Sequence, residues 1–177
     1  MDQELKIQII RGALITDIQY QDIIALCNRA YSENLEPLFR VLPAEAHVLA
    51  FLSGSLVSHA MWVTRWLQPG EAKPLRTAYV EMVATDPQHQ RKGFASAVMS
   101  RLVEAIPDYE LAALDPAEPE LYARVGWKFW RGPLFIRTDR GLIETPDERV
   151  MIFGLPQTPE LDLDAPLSAE WREGELW

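Results

Sequence analysis

The sequence predicts an α/β (α+β) domain with a central mixed sheet flanked by helices, and three observations carry that reading. Short β-rich runs alternate with about three helical stripes along 177 residues, the pattern of strands and helices sharing one core. Proline and glycine punctuate the chain between those segments rather than within them. Apolar residues make up 48% of the sequence and aromatics 10%, enough for a sizeable core in one domain spanning 1–177.

Leu5, Ile7 and Ile9 alternate with Lys6 and Gln8 and predict a first strand. Thr16 stands three residues before Gln19 as a capping box, and Tyr20, Ile23, Ile24, Cys27 and Tyr31 follow at helical spacing. That stripe includes Cys27, which reads as a small core residue. His47–Leu52 and Leu56–Val63, joined through Ser53-Gly54-Ser55, predict a hairpin. Thr77 to Thr85 predicts a third strand, closed by Asp86-Pro87. Val98, Arg101, Leu102 and Ala105 mark a helix that ends before Pro107. Leu111–Leu114 is a short strand, Pro119–Val125 a short helix stopped by Gly126, and Leu134–Arg137 and Val150–Leu155 closing strands. Pro156, Pro159 and Pro166 oppose a long helix in the tail.

Charge is unevenly spread. The formal net charge is -9, yet residues 157–177 hold six acids against Arg172 alone, a net of -5, so the preceding 156 residues net only -4. Between Arg65 and Arg101 six bases outnumber three acids. A basic middle and an acidic tail suit two ligands of opposite sign. The acidic balance argues against nucleic acid as a partner. No apolar run reaches about 18 residues, so neither a membrane span nor a leader is expected. The single cysteine fits a reducing, cytoplasmic setting.

Several common sites are excluded by inspection: the sequence lacks the dinucleotide and Walker phosphate loops, the metalloprotease helix motif and any cysteine cluster. His47, His59 and His89 have no ligand spacing, so no metal is expected; the first two read as ordinary sheet residues. What remains is Val83-Ala84-Thr85-Asp86-Pro87 running into Gln90-x-x-Gly93-x-Ala95, a loop between a strand and a helix. Small residues at 93 and 95 let backbone N–H groups approach a pyrophosphate, and Arg91 and Lys92 add positive charge.

Tyr79 to Ala95, followed by Leu121-Tyr122-Ala123-Arg124-Val125-Gly126-Trp127, resembles the GNAT superfamily of N-acetyltransferases. Gly126-Trp127-x-x-Trp130-x-Gly132-Pro133, Thr145-Pro146-Asp147-Glu148 and the ending Trp171 to Trp177 further resemble its aminoglycoside 2′-N-acetyltransferases. The likeness covers roughly 77–177. It implies the GNAT fold, a mixed, mostly antiparallel sheet. It also implies acetyl-CoA as cosubstrate, with Val83, Ala84 and Thr85 pairing with the pantetheine arm and Gln90, Arg91, Lys92, Gly93, Phe94 and Ala95 forming the pyrophosphate loop. Glu81 matches the strand glutamate that binds substrate and takes a proton from the acceptor amine, and Tyr122 the tyrosine that protonates the departing thiolate. Asp147, Glu148 and the terminal carboxylate of Trp177 match an acidic acceptor pocket, with Met82 and Asp115 at its edge. Asp115-Pro116 stands where the aminoglycoside enzymes carry serine. Glu33 and Glu36 are candidates for N-terminal acceptor acids, or exposed loop charges.

The chemistry asks for the same residue types. An acceptor amine is mostly protonated near pH 7 and needs a carboxylate to take its proton, and the oxyanion formed by attack suits a strand N–H near Val83. The expected activity is acetyl transfer from acetyl-CoA to a primary amine of a cationic small molecule, by direct attack, since no base motif accompanies Cys27. An aminoglycoside or related amino sugar is the leading acceptor. A polyamine or other amine, or an acetyl-CoA-binding module without turnover, is the alternative. The resemblance also implies a homodimer. The tail aromatics Trp171 and Trp177, costly to leave in water, predict that 157–177 packs back on the domain at the acceptor site.

Overall fold

The alternating N-terminal residues form strand β1 (Leu5–Arg11), and the capping box starts helix α1 (Asp17–Tyr31). Gln19 N–H donates to Thr16 Oγ1 while Thr16 N–H donates to Gln19 Oε1, so two orphan donors of the first turn are satisfied reciprocally. The computed structural model describes residues 4–177. These gather into two units, one of residues up to Val63 with Val80–Ala105, the other of Thr64–Tyr79 with Ile106–Trp177.

The first unit adds helix α2 (Glu36–Val41), strand β2 (Ala46–Leu52), the start of β3 (Ser55–Pro69), the end of β4 (Leu75–Thr85) and helix α3 (Phe94–Ala105). β1 and β3 flank β2 antiparallel. The β2–β3 hairpin turns on Ser53 and Gly54, both at positive φ, the backbone twist that two-residue hairpin loops require. Ile23, Leu26 and Cys27 of α1, Val48 and Ala50 of β2, and Val98, Met99 and Leu102 of α3 are inaccessible to solvent. Each large apolar side chain among them contributes about 1.5–3 kcal/mol by leaving water. The sequence did not mark α2, a six-residue helix opened by Glu36-Pro37.

In the second unit lie strand β5 (Leu111–Leu114), helix α4 (Pro119–Arg124), and strands β6 (Lys128–Phe129), β7 (Leu134–Thr138), β8 (Gly141–Glu144), β9 (Met151–Phe153) and β10 (Leu167–Glu170). Its strands run in the order β6-β9-β5-β4-β3-β10-β7-β8. β5 is parallel to β4 and β10 parallel to β7, while β5–β9, β6–β9, β7–β8 and β3–β10 are antiparallel. The expected mixed, mostly antiparallel sheet is present.

β6, β8 and β10 were not expected from sequence. β10 brings the proline-rich tail into the sheet, and Trp177 is buried. Trp171, expected to be covered as well, is instead 59% exposed. It follows the last residue of β10, where its N–H donates to Arg137 O.

Candidate active site

In the first unit, β4 changes hand at Met82. Its φ of 52° is left-handed, a conformation that costs a non-glycine residue about 1 kcal/mol or more and breaks the alternation of a strand. Side chains hold the carbonyls that follow. His59 Nδ1 lies 2.8 Å from Met82 O, Tyr31 Oη donates to Val83 O at 2.8 Å, and Ser58 Oγ donates to Ala84 O at 2.9 Å. Glu81, half-buried, precedes this irregularity directly. The bulge was not legible in the sequence.

His59 Nδ1 lies against Met82 O, and its Nε2 against His47 Nδ1 at 3.1 Å. A carbonyl only accepts, so His59 carries its proton on Nδ1 and receives one from His47 Nδ1–H. Burial pushes His47 down to about 4 and His59 to about 3, the latter also opposed by His47 and partly supported by the Met82 carbonyl. These two lie in β2 and β3, as expected, and form a buried neutral pair there. Cys27 Sγ lies 3.9 Å from His59 Nδ1, and burial raises its thiol to about 12, which makes it the inert core residue that was expected.

Beyond β4, Asp86 Oδ1 accepts Gln88 N–H at 3.0 Å and Oδ2 accepts Arg29 Nη2 at 2.9 Å. Partial burial works against ionisation, but these two donors outweigh it and hold the carboxyl below its usual value. The loop so anchored has Arg91 and Gly93 both at positive φ, and a Cβ at Gly93 would meet no atom within 4 Å. Left-handed residues just before a helix form a hollow of backbone N–H groups, and the helix start adds its own unpaired donors. Gln90, Arg91, Lys92, Gly93, Phe94 and Ala95 therefore lie in a segment suited to a pyrophosphate. Val83, Ala84 and Thr85 end the strand that leads to it. Glu36, offered as an acceptor acid, forms an ion pair with Arg40 at 2.6 Å, and Glu33 is exposed.

The second unit brings acids together. Burial raises the Glu148 carboxyl first, and Asp115, Glu175 and Asp147 raise it further. Asp115 retains solvent access, yet desolvation on its protein side and the charge of Glu175 raise it too, against the pull of Arg149. Carboxylates that oppose one another's ionisation are relieved by a cation. Glu175 was counted in the sequence only within the tail's charge.

Beside Glu148 opens a cavity of about 560 Å³, lined among others by Trp130, Pro133, Glu144, Thr145 and Arg149. Trp177 Nε1 donates to Thr145 Oγ1 at 2.8 Å, and the Trp177 main-chain oxygen accepts Arg172 Nη2 at 3.0 Å. One oxygen of the carboxylate that the resemblance offers to an amine thus accepts from an arginine.

Tyr122, on α4, is 5% exposed and meets Trp127 edge-on at 6.3 Å between centroids; Trp127 in turn packs on Phe153 at 5.7 Å. Gly126 permits this corner with φ of +94°. Gly132 has a different reason: a Cβ there would lie 1.9 Å from Ala165 O. Among the described residues no group of three or more His, Cys, Asp or Glu is placed to hold a metal ion, and no helix is long and apolar enough to cross a membrane.

The sequence profile of the family described as "Acetyltransferase (GNAT) domain" matches residues 13–130. An aminoglycoside 2′-N-acetyltransferase of Mycolicibacterium fortuitum is 33% identical over 138 residues, covering 74% of this chain and 70% of that protein. Among solved structures, the GNAT family N-acetyltransferase YhbS of Escherichia coli, in complex with CoA, superposes with a TM-score of 0.70 at 14% identity. It covers 98% of this chain and 92% of its own. Eis1 of Mycobacterium abscessus matches with a TM-score of 0.62 at 21% identity over 73% of this chain, which spans 32% of that protein's length.

Proposed function

Because the chain belongs to the GNAT acetyltransferases, we propose that it moves the acetyl group of acetyl-CoA to a primary amine of a polycationic small molecule, an aminoglycoside or related amino sugar. The observation that supports this acceptor class best is the acidic grouping around Glu148, whose carboxyl is raised by burial and then by Asp115, Glu175 and Asp147, while burial and Glu175 raise that of Asp115. A polyamine carries the same charge without the ring hydroxyls and is the second acceptor to test.

In this reading the loop Gln90–Ala95 holds the pyrophosphate and Val83–Thr85 the pantetheine arm. Glu81 takes a proton from the ammonium form of the acceptor, which frees the nitrogen lone pair. The nitrogen attacks the thioester carbonyl, the C–N bond forms, and the negative charge on oxygen meets a backbone N–H near Val83. The C–S bond then breaks, the nitrogen gives up its remaining extra proton to solvent, and the sulfur gains one, with Tyr122 as the proposed donor. A phenol of ordinary acidity, near ~10, is a weaker acid than a thiol near ~8.5, so Tyr122 supports the leaving sulfur first through a hydrogen bond.

Release of CoA thiol against a panel of aminoglycosides, polyamines and peptide N-termini tests the proposal. Turnover confined to polyamines or peptides removes the aminoglycoside reading, and acetyl-CoA binding without turnover on any amine removes the enzymatic one. Glu81→Gln and Tyr122→Phe are each expected to lower kcat by about 10²-fold or more while acetyl-CoA binding stays within about twofold. Unchanged kcat in either variant removes that residue's role.

A further inference from the structure

Among the described residues Arg65 is one of the largest fully buried side chains, 1% exposed, and nothing in the reaction above uses it. A buried guanidinium is costly unless its charge and donors are engaged. Here Nη1 donates to Leu176 O and Nη2 to Glu170 O, both at 2.8 Å, and Nε lies 3.8 Å from Glu170 Oε1. The group also lies 4.9 Å from the centroid of the Tyr79 ring and 6.0 Å from that of Trp177, where the aromatic face favours a cation.

The two carbonyls belong to the two ends of one segment, Glu170 to Leu176. At its near end β10 pairs with β3 only through Leu167↔Pro69 and Ser168↔Gln68. Beyond Ser168 side chains continue the attachment: Glu170 accepts Trp66 N–H, and Arg65 closes the far end. Between those ends stands Glu175, which acts on both Asp115 and Glu148. Past them Trp177 fastens to Thr145, two residues before Asp147.

We propose that Arg65 is a positioning residue for the acceptor: by bridging Glu170 O and Leu176 O, it fixes the segment that sets Glu175 beside Asp115 and Glu148. The inference rests on the acetyltransferase reading above. The fork geometry is the essential property. A lysine at 65 keeps the charge but cannot span both carbonyls, because its donors radiate from one atom.

Acceptor and acetyl-CoA kinetics of the wild type, Arg65→Lys, Glu175→Gln and the double variant supply the test. The wild type comes first: absence of turnover with every amine overturns the acetyltransferase reading and this proposal with it. Given turnover, Arg65→Lys is expected to raise the acceptor KM about tenfold and leave the acetyl-CoA KM within about twofold. In the double variant the acceptor KM should rise little beyond that of Arg65→Lys, since a misplaced Glu175 has little left to lose. An unchanged acceptor KM, an equal rise in both KM values, or strictly multiplicative effects overturns the positioning role while leaving the acetyltransferase reading intact. The guanidinium of the wild type supplies a check that needs no variant: the Arg65 Nη protons, donated to Leu176 O and Glu170 O, are expected to exchange slowly by NMR, and exchange as fast as that of an exposed arginine overturns the clamp.

Discussion

At the residue scale, the buried pair His47–His59 makes a prediction about acid. Both rings are neutral in the folded protein, with pKa values near 4 and 3, whereas in the unfolded chain each takes a proton at about pH 6.5. A depressed folded value contributes stability that is complete above the unfolded pKa and is lost as pH falls through that window toward the folded one. Stability should therefore decline from about pH 6.5 downward, on the order of a few kcal/mol for the pair. The check is the urea midpoint at about pH 7 and pH 5: the wild type should lose more than His47→Asn, and equal losses count against the pair. Cys27 should stay unreactive toward a thiol reagent until the protein unfolds, given its raised thiol. The burial of Cys27 was legible from its helical stripe. The histidine pair was not. A register shift between Ala50 and Phe51 places His47 opposite Met61 and Leu49 opposite His59, bringing the histidines to one face. An unbroken two-residue hairpin would have set them on opposite faces, and no sequence pattern announces the bulge.

At the element scale, most helices and strands followed from local signals. The Thr16 box opens α1 as expected, β5 occupies the residues expected for it, and α4 runs from Pro119 to Arg124. Thr16→Ala should cost about 1 kcal/mol, read as a fall in the thermal midpoint. What escaped were short elements that exist only through their partners. β8 (Gly141–Glu144) is exposed along its whole length, and β10 is four residues drawn from a tail of prolines and acids. Neither has an alternation long enough to recognise, and each is defined by register against β7. The Gly132-Pro133 pair, noticed as part of a resemblance, has a plain steric basis. Gly132→Ala would drive a methyl group into Ala165 O at 1.9 Å, a backbone atom that cannot rotate away. A loss of about 2 kcal/mol or more is expected; a wild-type midpoint would show that the 163–165 segment yields freely.

At the scale of the whole molecule, the net charge of -9 separates into a basic stretch that contains the Gln90–Ala95 loop and a tail that supplies Glu175. If the acceptor is a polycation, its kcat/KM should fall steeply as salt rises from about 0.05 to 0.5 M, because attraction over several ångströms is screened. An acceptor kcat/KM indifferent to salt would argue for a neutral substrate. The charge division was readable from composition alone. The grouping of Asp115, Asp147, Glu148 and Glu175 was readable only in part, because a buried arginine, unremarkable in the sequence, fixes the segment that carries the last of them. The strand end after Met82 carries a different lesson. Imidazole, phenol and hydroxyl groups of His59, Tyr31 and Ser58 grip its carbonyls, and a carbonyl is the same whichever amino acid owns it. The constraint is thus written at positions 31, 58 and 59, not at 82, 83 and 84 where it acts. A saturation library should show Val83 and Ala84 accepting many small replacements while their three distant holders accept few, so a search for the gripped strand by its own letters looks in the wrong place.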